Sequence, residues 1–261
     1  MSATGAPHED ATRCAAECVA RHGYGELVAF LAARTRDVAG AEDALAEAIA
    51  AALADWPQQG VPRSPEGWLL TVARRRLVDA ARRRRLDAEA AATLETIAEG
   101  ACDDPTLRPD IPDHRLALMF ACAHPAIDAG VHAPLMLQTL LAFDAATIAS
   151  AFLVAPSSMS QRLVRAKARI RETGIALHVP DLAEAAGRLD SVLDAIYAAY
   201  AEGWTDPAGA DAKRRNLADE RIWLGRLLAS LRPGGPETLG LLALMLFAQA
   251  RRDARRDAEG R

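Results

Sequence analysis

The chain has 261 residues, of which 59 are alanine and only 5% are aromatic. This composition favours helices and argues against a β-sandwich, which is rich in β-branched and aromatic residues. The formal net charge of −4, with a pI near 5.9, excludes a uniformly basic protein that coats nucleic acid. We therefore predict an all-α protein that is long enough for two or three small domains.

The basic residues are concentrated in two short segments, and almost all of them are arginine. Residues 74–85 carry seven arginines and a single acid, Asp79, while residues 161–171 carry five basic residues and no acid. The rest of the chain has a net charge of −15. This asymmetry indicates a polyanionic partner that contacts the protein at two defined places.

The first strongly periodic segment predicts a helix that ends near Trp56. Its apolar residues recur at helical intervals and predict one buried stripe: Leu45, Ile49, Leu53 and Trp56. Acidic residues lie away from this stripe: Glu42, Asp43 and Glu47. Prolines then indicate a loop, and Ser64 followed by Pro65 is typical of a helix start, with Ser64 as the cap. The next helix is predicted to run to about Leu86.

The second half of the chain begins after a change of composition. Acids and prolines are frequent towards the end of residues 88–112, which we interpret as a linker. Gly174 is predicted to end a series of helices that begins at Asp113. The further helices are predicted at 113–123, 129–142, 144–153, 157–172, 182–200, 212–231 and 236–252. We find no strand signal of any weight.

Residues 144–172 have the layout of a helix-turn-helix, with Asp144 as the cap of the first helix. Six residues are predicted to face inward: Ile148, Phe152, Met159, Leu163, Ala166 and Ile170. The opposite face of the second helix begins with Ser158, Gln161 and Arg162, which are placed to contact base edges. Farther along are the predicted phosphate contacts: Arg165, Lys167 and Arg169. The alternative is an ordinary helical hairpin with a solvated arginine face.

The arginine-rich end of the preceding helix has two interpretations. Cations suit the C-terminal end of a helix because they complement its dipole, so the segment is compatible with a solvated helix end. However, four consecutive arginines repel one another without neighbouring acids, which favours contact with nucleic acid. Trp68, at the start of this helix, is suited either to stacking on a base or to packing in the core.

Residues 238–250 are apolar on every side and therefore need a cover over most of their surface. Three arrangements satisfy this need. The helix packs in the core against the two helices before it, pairs with another copy of the chain, or is covered by further repeats.

The sequence offers few candidate metal ligands. Cys14, Cys18 and His22 line one helix face, but a single straight helix rarely surrounds a tetrahedral ion, so we favour core cysteines. Cys122 and His124 are likewise interpreted as a packed helix end. The sequence has no phosphate-binding loop, nucleophile elbow or metalloprotease motif. We predict no cofactor, no metal site and no catalytic residue, and therefore no enzyme.

The compartment is predicted from three features. The start of the chain lacks a charged segment followed by an apolar one, so no secretory signal is expected. The longest uncharged run is too short to span a membrane. Four cysteines in a chain of this length do not form a disulfide framework. These features predict a cytoplasmic protein with no membrane partner.

Three segments together resemble an extracytoplasmic-function (ECF) sigma factor of bacterial RNA polymerase, a compact member of the sigma-70-like family. Residues 41–57, AEDALAEAIAAALADWP, resemble the region-two helix that docks on the polymerase clamp. Residues 65–85, PEGWLLTVARRRLVDAARRRR, resemble the helix that melts and holds the minus-ten element. Residues 150–171, SAFLVAPSSMSQRLVRAKARIR, resemble the region-four helix-turn-helix that reads the minus-thirty-five element.

The resemblance implies core RNA polymerase and promoter DNA as partners, and a role in binding rather than bond chemistry. It assigns polymerase binding to Asp43 and Glu47. The residues implied for the minus-ten element are Trp68, Arg74, Arg75, Arg76, Asp79, Arg82 and Arg83. The residues implied for the minus-thirty-five element are Ser157, Ser158, Gln161, Arg162, Arg165, Lys167 and Arg169. The chain departs from the family pattern at Arg75, where the family usually has asparagine.

The resemblance also implies a domain organisation. Region two is expected at 11–87, the linker at 88–112, region four at 113–174 and a C-terminal helical extension at 175–261. Residues 119–127, 197–204 and 239–252 resemble a sigma subgroup with a helical-repeat extension, whose pattern continues past residue 261. A shortened form is therefore expected.

Two further expectations concern the extension and the class of protein. The extension is expected to contact a regulatory protein or another copy of the chain. The alternative function is a helix-turn-helix repressor or activator with a C-terminal sensing or dimerisation domain.

Overall fold

The computed structural model describes residues 23–84, 113–204, 222–230 and 234–251. These residues form α-helices and no strand, which confirms the predicted all-α fold. The helices are α1 (Tyr24–Thr35), α2 (Val38–Gln59), α3 (Pro65–Arg84), α4 (Arg115–Cys122), α5 (Ala129–Leu141), α6 (Ala145–Ala151), α7 (Pro156–Thr173), α8 (Leu182–Trp204) and α9 (Pro236–Ala250). Residues 222–230 are also helical. No described helix is both long enough and apolar enough to cross a membrane.

The chain divides into two compact units. The first comprises Met1–Arg115 together with Lys167–Leu177, and the second comprises Leu116–Ala166 together with His178–Arg261. The domain boundaries expected from the sequence stay a prediction, and the predicted linker at 88–112 lies outside the described residues.

In the first unit, α2 packs against α3, and α1 packs against both. The buried face of α2 consists mainly of small residues and two large ones: Ala41, Ala44, Leu45, Ala48, Ala52 and Trp56. The prediction that Leu53 belongs to this stripe is wrong, because its side chain is 46% exposed. At 100° per residue, Leu53 lies about 80° around the helix from Leu45, whereas Trp56 lies only about 20° from it. The alanines between these large residues form the contact surface.

The helix starts of the first unit follow local rules. The Asp37 carboxylate caps α2 by accepting a hydrogen bond from the Gly40 amide at 2.9 Å. The Ser64 hydroxyl accepts one from the Gly67 amide at 3.3 Å, and Pro65 is the first residue of α3. The predicted start at Ser64 and Pro65 is therefore confirmed.

In the second unit, α5 packs against α8. The buried residues of this unit include Leu118 of α4, Leu135 and Met136 of α5, and Ile196 of α8. The Cys122 side chain is also buried here, with its Sγ 3.9 Å from the Thr139 hydroxyl oxygen. This environment agrees with the interpretation of Cys122 as a packed helix end.

Among the described residues, helix α9 is buried along one side and exposed along the other. Met245 is buried, and its carbonyl oxygen accepts a hydrogen bond from the Tyr200 hydroxyl at 3.0 Å. Gly225 allows the helical residues 222–230 to approach α9 closely. A Cβ at position 225 would lie only 2.8 Å from the Met245 methyl carbon. The opposite side is exposed, including Phe247 at 69%. A fully buried core helix is therefore not what the structure shows.

Candidate nucleic-acid interface

The helix-turn-helix consists of α6 and α7 with a tight turn between them. The Asp144 carboxylate caps α6 by accepting hydrogen bonds from the amides of Ala146 and Thr147 at 3.0 and 2.9 Å, as predicted. At the other end, the Val154 amide bonds to the Ala149 carbonyl and the Leu153 amide to the Ser150 carbonyl. This pair of bonds is a Schellman motif.

Leu153 occupies the left-handed position of this motif, with φ 54°, and its side chain is 93% exposed. Glycine is the usual residue there because a Cβ is disfavoured in this conformation. The sequence contains no glycine in the turn, so this feature has no simple sequence signal.

The inner face of the second helix agrees with the prediction from helical periodicity. Four predicted residues are buried: Met159, Leu163, Ala166 and Ile170. In the first helix, the prediction that Phe152 faces inward is wrong, because its side chain is 36% exposed. Helix α6 ends at Ala151, so Phe152 lies at the C-cap and no longer follows the periodic face.

The outer face of α7 carries polar and basic side chains that are free of the core. Six of the seven residues predicted to bind the minus-thirty-five element are exposed: Ser157, Ser158, Gln161, Arg162, Arg165 and Arg169. The Arg165 Nε donates a hydrogen bond to the Gln161 carbonyl at 3.2 Å. The helix ends as predicted at Gly174, where Gly174 and Ile175 donate to the carbonyls of Arg171 and Ile170.

Lys167 is the seventh predicted residue, and its environment is different. Within the first unit, its ammonium group forms an ion pair and hydrogen bond with the Glu42 carboxylate of α2. The two side chains are only 13% and 12% exposed. One helical turn later, the Arg171 Nη1 lies 3.9 Å from the Asp37 Oδ2. Sequence periodicity does not predict a pair whose members are 125 residues apart.

The exposed part of α3 carries most of the residues predicted for the minus-ten element. Arg75, Arg76, Asp79 and Arg82 are exposed, whereas the side chain of Arg83 lies outside the described residues. The Arg76 Nε forms an ion pair with the Glu47 Oε2 at 3.3 Å, and both side chains are about half exposed. This contact joins a residue predicted to bind DNA to one predicted to bind polymerase.

Two other residues of that predicted set face the interior of the first unit. The Trp68 ring meets the buried Trp56 ring edge-on, with centroids 5.5 Å apart. The Arg74 guanidinium carbon lies 5.1 Å from the centre of the Phe30 ring, within reach of a cation–π interaction. Burial and the neighbouring charge of Arg34 hold the pKa of Arg74 below its ordinary value. No pattern in the sequence indicates Phe30 as the partner of Arg74.

The acidic face of α2 has an exposed and a covered part. Asp43 and Glu47, the predicted polymerase contacts, are exposed. Glu42 is covered by Lys167, and burial raises the pKa of this carboxyl above its ordinary value although the Lys167 charge acts to lower it. The Glu42 Oε1 is buried and has no hydrogen-bond partner. The Glu42 carboxylate is therefore only partly compensated for its loss of hydration.

The described residues contain no group of three or more histidine, cysteine or acidic side chains suited to a metal ion. Cys14, Cys18 and His22 lie outside the described residues, so the interpretation of that trio stays a prediction. His124 uses its Nδ1 to accept a hydrogen bond from the Ala126 amide at 3.1 Å.

Comparison with known proteins gives two family matches and one relative. Residues 19–86 match Sigma-70 region 2, and residues 188–261 match a family of unknown function (DUF6596). The chain is 37% identical over 226 residues to an uncharacterized protein of Rhizobium meliloti (strain 1021). The match covers 84% of this chain and 53% of the relative, so the chain spans about half of the relative's length. No solved structure matches.

The match to Sigma-70 region 2 falls on the first helices of the chain. Helices α1–α3 lie within the segment that matches Sigma-70 region 2. These three helices therefore form the part of the chain that is similar to Sigma-70 region 2.

Proposed function

We propose that the chain is an ECF sigma factor that binds core RNA polymerase in the cytoplasm and directs promoter-specific transcription initiation. The observation that carries this proposal is the match of residues 19–86 to Sigma-70 region 2, on the helices that bear the first arginine-rich segment. The exposed basic face of a helix-turn-helix later in the chain supports it. The protein acts by binding and performs no bond chemistry of its own.

We assign polymerase binding to the exposed carboxylates of Asp43 and Glu47 on α2. The minus-ten element is assigned to the exposed basic residues of α3. Melting is favoured when a protein holds the unpaired strand, with arginines on the backbone and pockets for extruded bases. The Trp68 ring packs against Trp56, and the Arg74 guanidinium lies over the Phe30 ring. We therefore propose that these two residues support the DNA-binding surface rather than contact DNA.

We assign the minus-thirty-five element to the first turns of α7. Ser158, Gln161 and Arg162 are exposed near the start of this helix, where a recognition helix contacts base edges. Arginine pairs well with guanine and glutamine with adenine in the major groove. Arg165 and Arg169 lie farther along the helix and suit phosphate contacts.

The test replaces Arg162 with alanine and uses Val164→Ala as the matched control. Both residues are on α7, and the Val164 side chain is 64% exposed but is assigned no DNA contact. Each protein is mixed with core RNA polymerase and assayed by transcription from a promoter library. For Arg162→Ala we expect a loss of about 1–3 kcal/mol, confined to one minus-thirty-five position. The control should retain the original preference.

Two results would contradict the proposal at different levels. An unchanged base preference in Arg162→Ala would remove this residue from base contact. Failure of the wild-type chain to bind polymerase, together with dimeric binding to duplex DNA, would instead support a helix-turn-helix repressor or activator.

A further inference from the structure

The exposed side of α9 carries an apolar surface that the proposed function does not use. Between Leu239 and Ala250, every exposed residue is apolar. At 100° per residue, these positions span about 160° of the helix circumference. The main members of this surface, called here the α9 face, are Leu239, Gly240, Ala243, Leu244, Leu246 and Phe247. A contiguous exposed apolar surface is typical of a site that contacts another molecule.

The α9 face is complementary in shape to itself. Phe247 is 69% exposed, whereas a Cβ added at Gly240 would meet no atom within 4 Å. These two positions are only about 20° apart around the helix. If two copies of α9 lie antiparallel around a two-fold axis that passes between residues 243 and 244, residue 247 of each copy lies beside residue 240 of the other. The Phe247 ring then covers Gly240, and the small Ala243 near the axis lets the two helices approach closely.

The charges at the two ends of α9 favour the same arrangement. Glu237 in the first turn and Arg251 directly after the helix are both exposed, and they lie about 40° apart around it. Neither forms an ion pair with another described residue. An antiparallel pair with the same axis brings Glu237 of each copy beside Arg251 of the other. A parallel pair would instead place like charges together at each end.

We propose that the α9 face is a homodimer interface, on which two copies of the chain pair antiparallel around a two-fold axis near residues 243 and 244. The occupant is a second copy because shape and charge are complementary in one and the same register. The interface is one helix wide, so the association should be weak, as is typical when less than about 1,200 Å² of total surface is buried. This inference goes beyond the proposed function and does not depend on binding of DNA or polymerase.

The experiment is sedimentation equilibrium of the full chain at low salt, over concentrations below and above the expected Kd of about 1–100 µM. Gly240→Leu places a side chain where the partner's aromatic ring should lie, and we expect it to weaken the dimer at least about tenfold. The added side chain has room within the chain itself, so the fold should be retained. Gly187→Leu is the matched control, because Gly187 is also an exposed helical glycine with no atom within 4 Å of an added Cβ. The control should leave the Kd unchanged.

Charge reversal tests the antiparallel register. Glu237→Arg and Arg251→Glu should each weaken the dimer about 3- to 30-fold at low salt, since the two-fold axis repeats every contact, and the effect should decrease at high salt. The double variant Glu237→Arg/Arg251→Glu should regain an affinity close to that of the wild type.

Three outcomes would overturn the inference. The first is a chain that stays monomeric over the whole concentration range. The second is a dimer that Gly240→Leu leaves intact, because association would then use another surface. The third is a failure of the double charge reversal to restore affinity after each single reversal has lowered it, which would exclude the antiparallel register. None of these measurements uses DNA or polymerase, so the proposed function is tested separately by Arg162→Ala.

Discussion

Asp144 gives the sharpest stability prediction, because one exposed side chain holds the start of the short helix α6. Its carboxylate accepts hydrogen bonds from two amides and from the Thr147 hydroxyl, the last at 2.8 Å. Replacing a cap of this kind with alanine costs about 1 kcal/mol, within a range of about 0.5–2 kcal/mol. For Asp144→Ala this predicts a decrease in Tm of about 2–4 °C, measured by circular dichroism at pH 7. Asp144→Asn is the matched control and should lose less stability than Asp144→Ala at pH 7, since asparagine keeps a capping oxygen but not the charge.

The stability that the Asp144 cap contributes should decrease at low pH. Hydrogen bonds from Thr147 lower the pKa of Asp144 below its ordinary value. The stabilisation by its charge is therefore present above the ordinary pKa of about 4 and is lost as the pH falls through the lowered value. The difference in stability between wild type and Asp144→Ala should accordingly shrink below pH 4. Equal stability at pH 7, or a difference that is the same at pH 7 and pH 3, would refute the reasoning.

Two other predictions concern the same unit. Leu163→Ala should lower the free energy of unfolding in urea by about 2–5 kcal/mol because Leu163 is buried, whereas Val164→Ala should stay within about 0.5 kcal/mol. Equal losses at these adjacent positions would contradict the assigned faces of α7. Ala142 has φ 54°, a left-handed conformation that costs a residue with a Cβ about 1–2 kcal/mol. Glycine avoids this steric cost but loses more backbone entropy on folding. Ala142→Gly should therefore raise the free energy of unfolding by about 0.5–1 kcal/mol. A lower urea midpoint for this variant would show that the left-handed conformation carries no strain.

Much of the candidate site follows from the sequence because it depends on short-range rules. Asp144 and Ser64 cap helices as predicted, since a cap bonds to amides two or three residues away. The buried face of α7 follows from helical periodicity, and its outer face is exposed at most of the predicted positions. The particular DNA and polymerase contacts stay predictions.

The errors and omissions share a different cause. The apolar stripe predicted from helical spacing includes Leu53, but the alanines of α2 form the contact surface and leave Leu53 exposed. Arg74 packs on Phe30, a residue of another helix, so helical spacing within α3 did not indicate this contact. Phe152 lies beyond the end of α6, where periodicity no longer applies.

The sequence by itself determined the all-α fold, the helix starts and the two arginine-rich segments, because composition, capping and charge act over a few neighbouring residues. The sequence also predicted which side of α7 faces outward. Only the tertiary structure decided which charged groups on these surfaces are accessible. Lys167 is paired with Glu42, while Arg162 on the same helix is exposed. The physical reason is that an ion pair depends on the distance between two side chains in space, and the packing of helices far apart in the chain sets that distance.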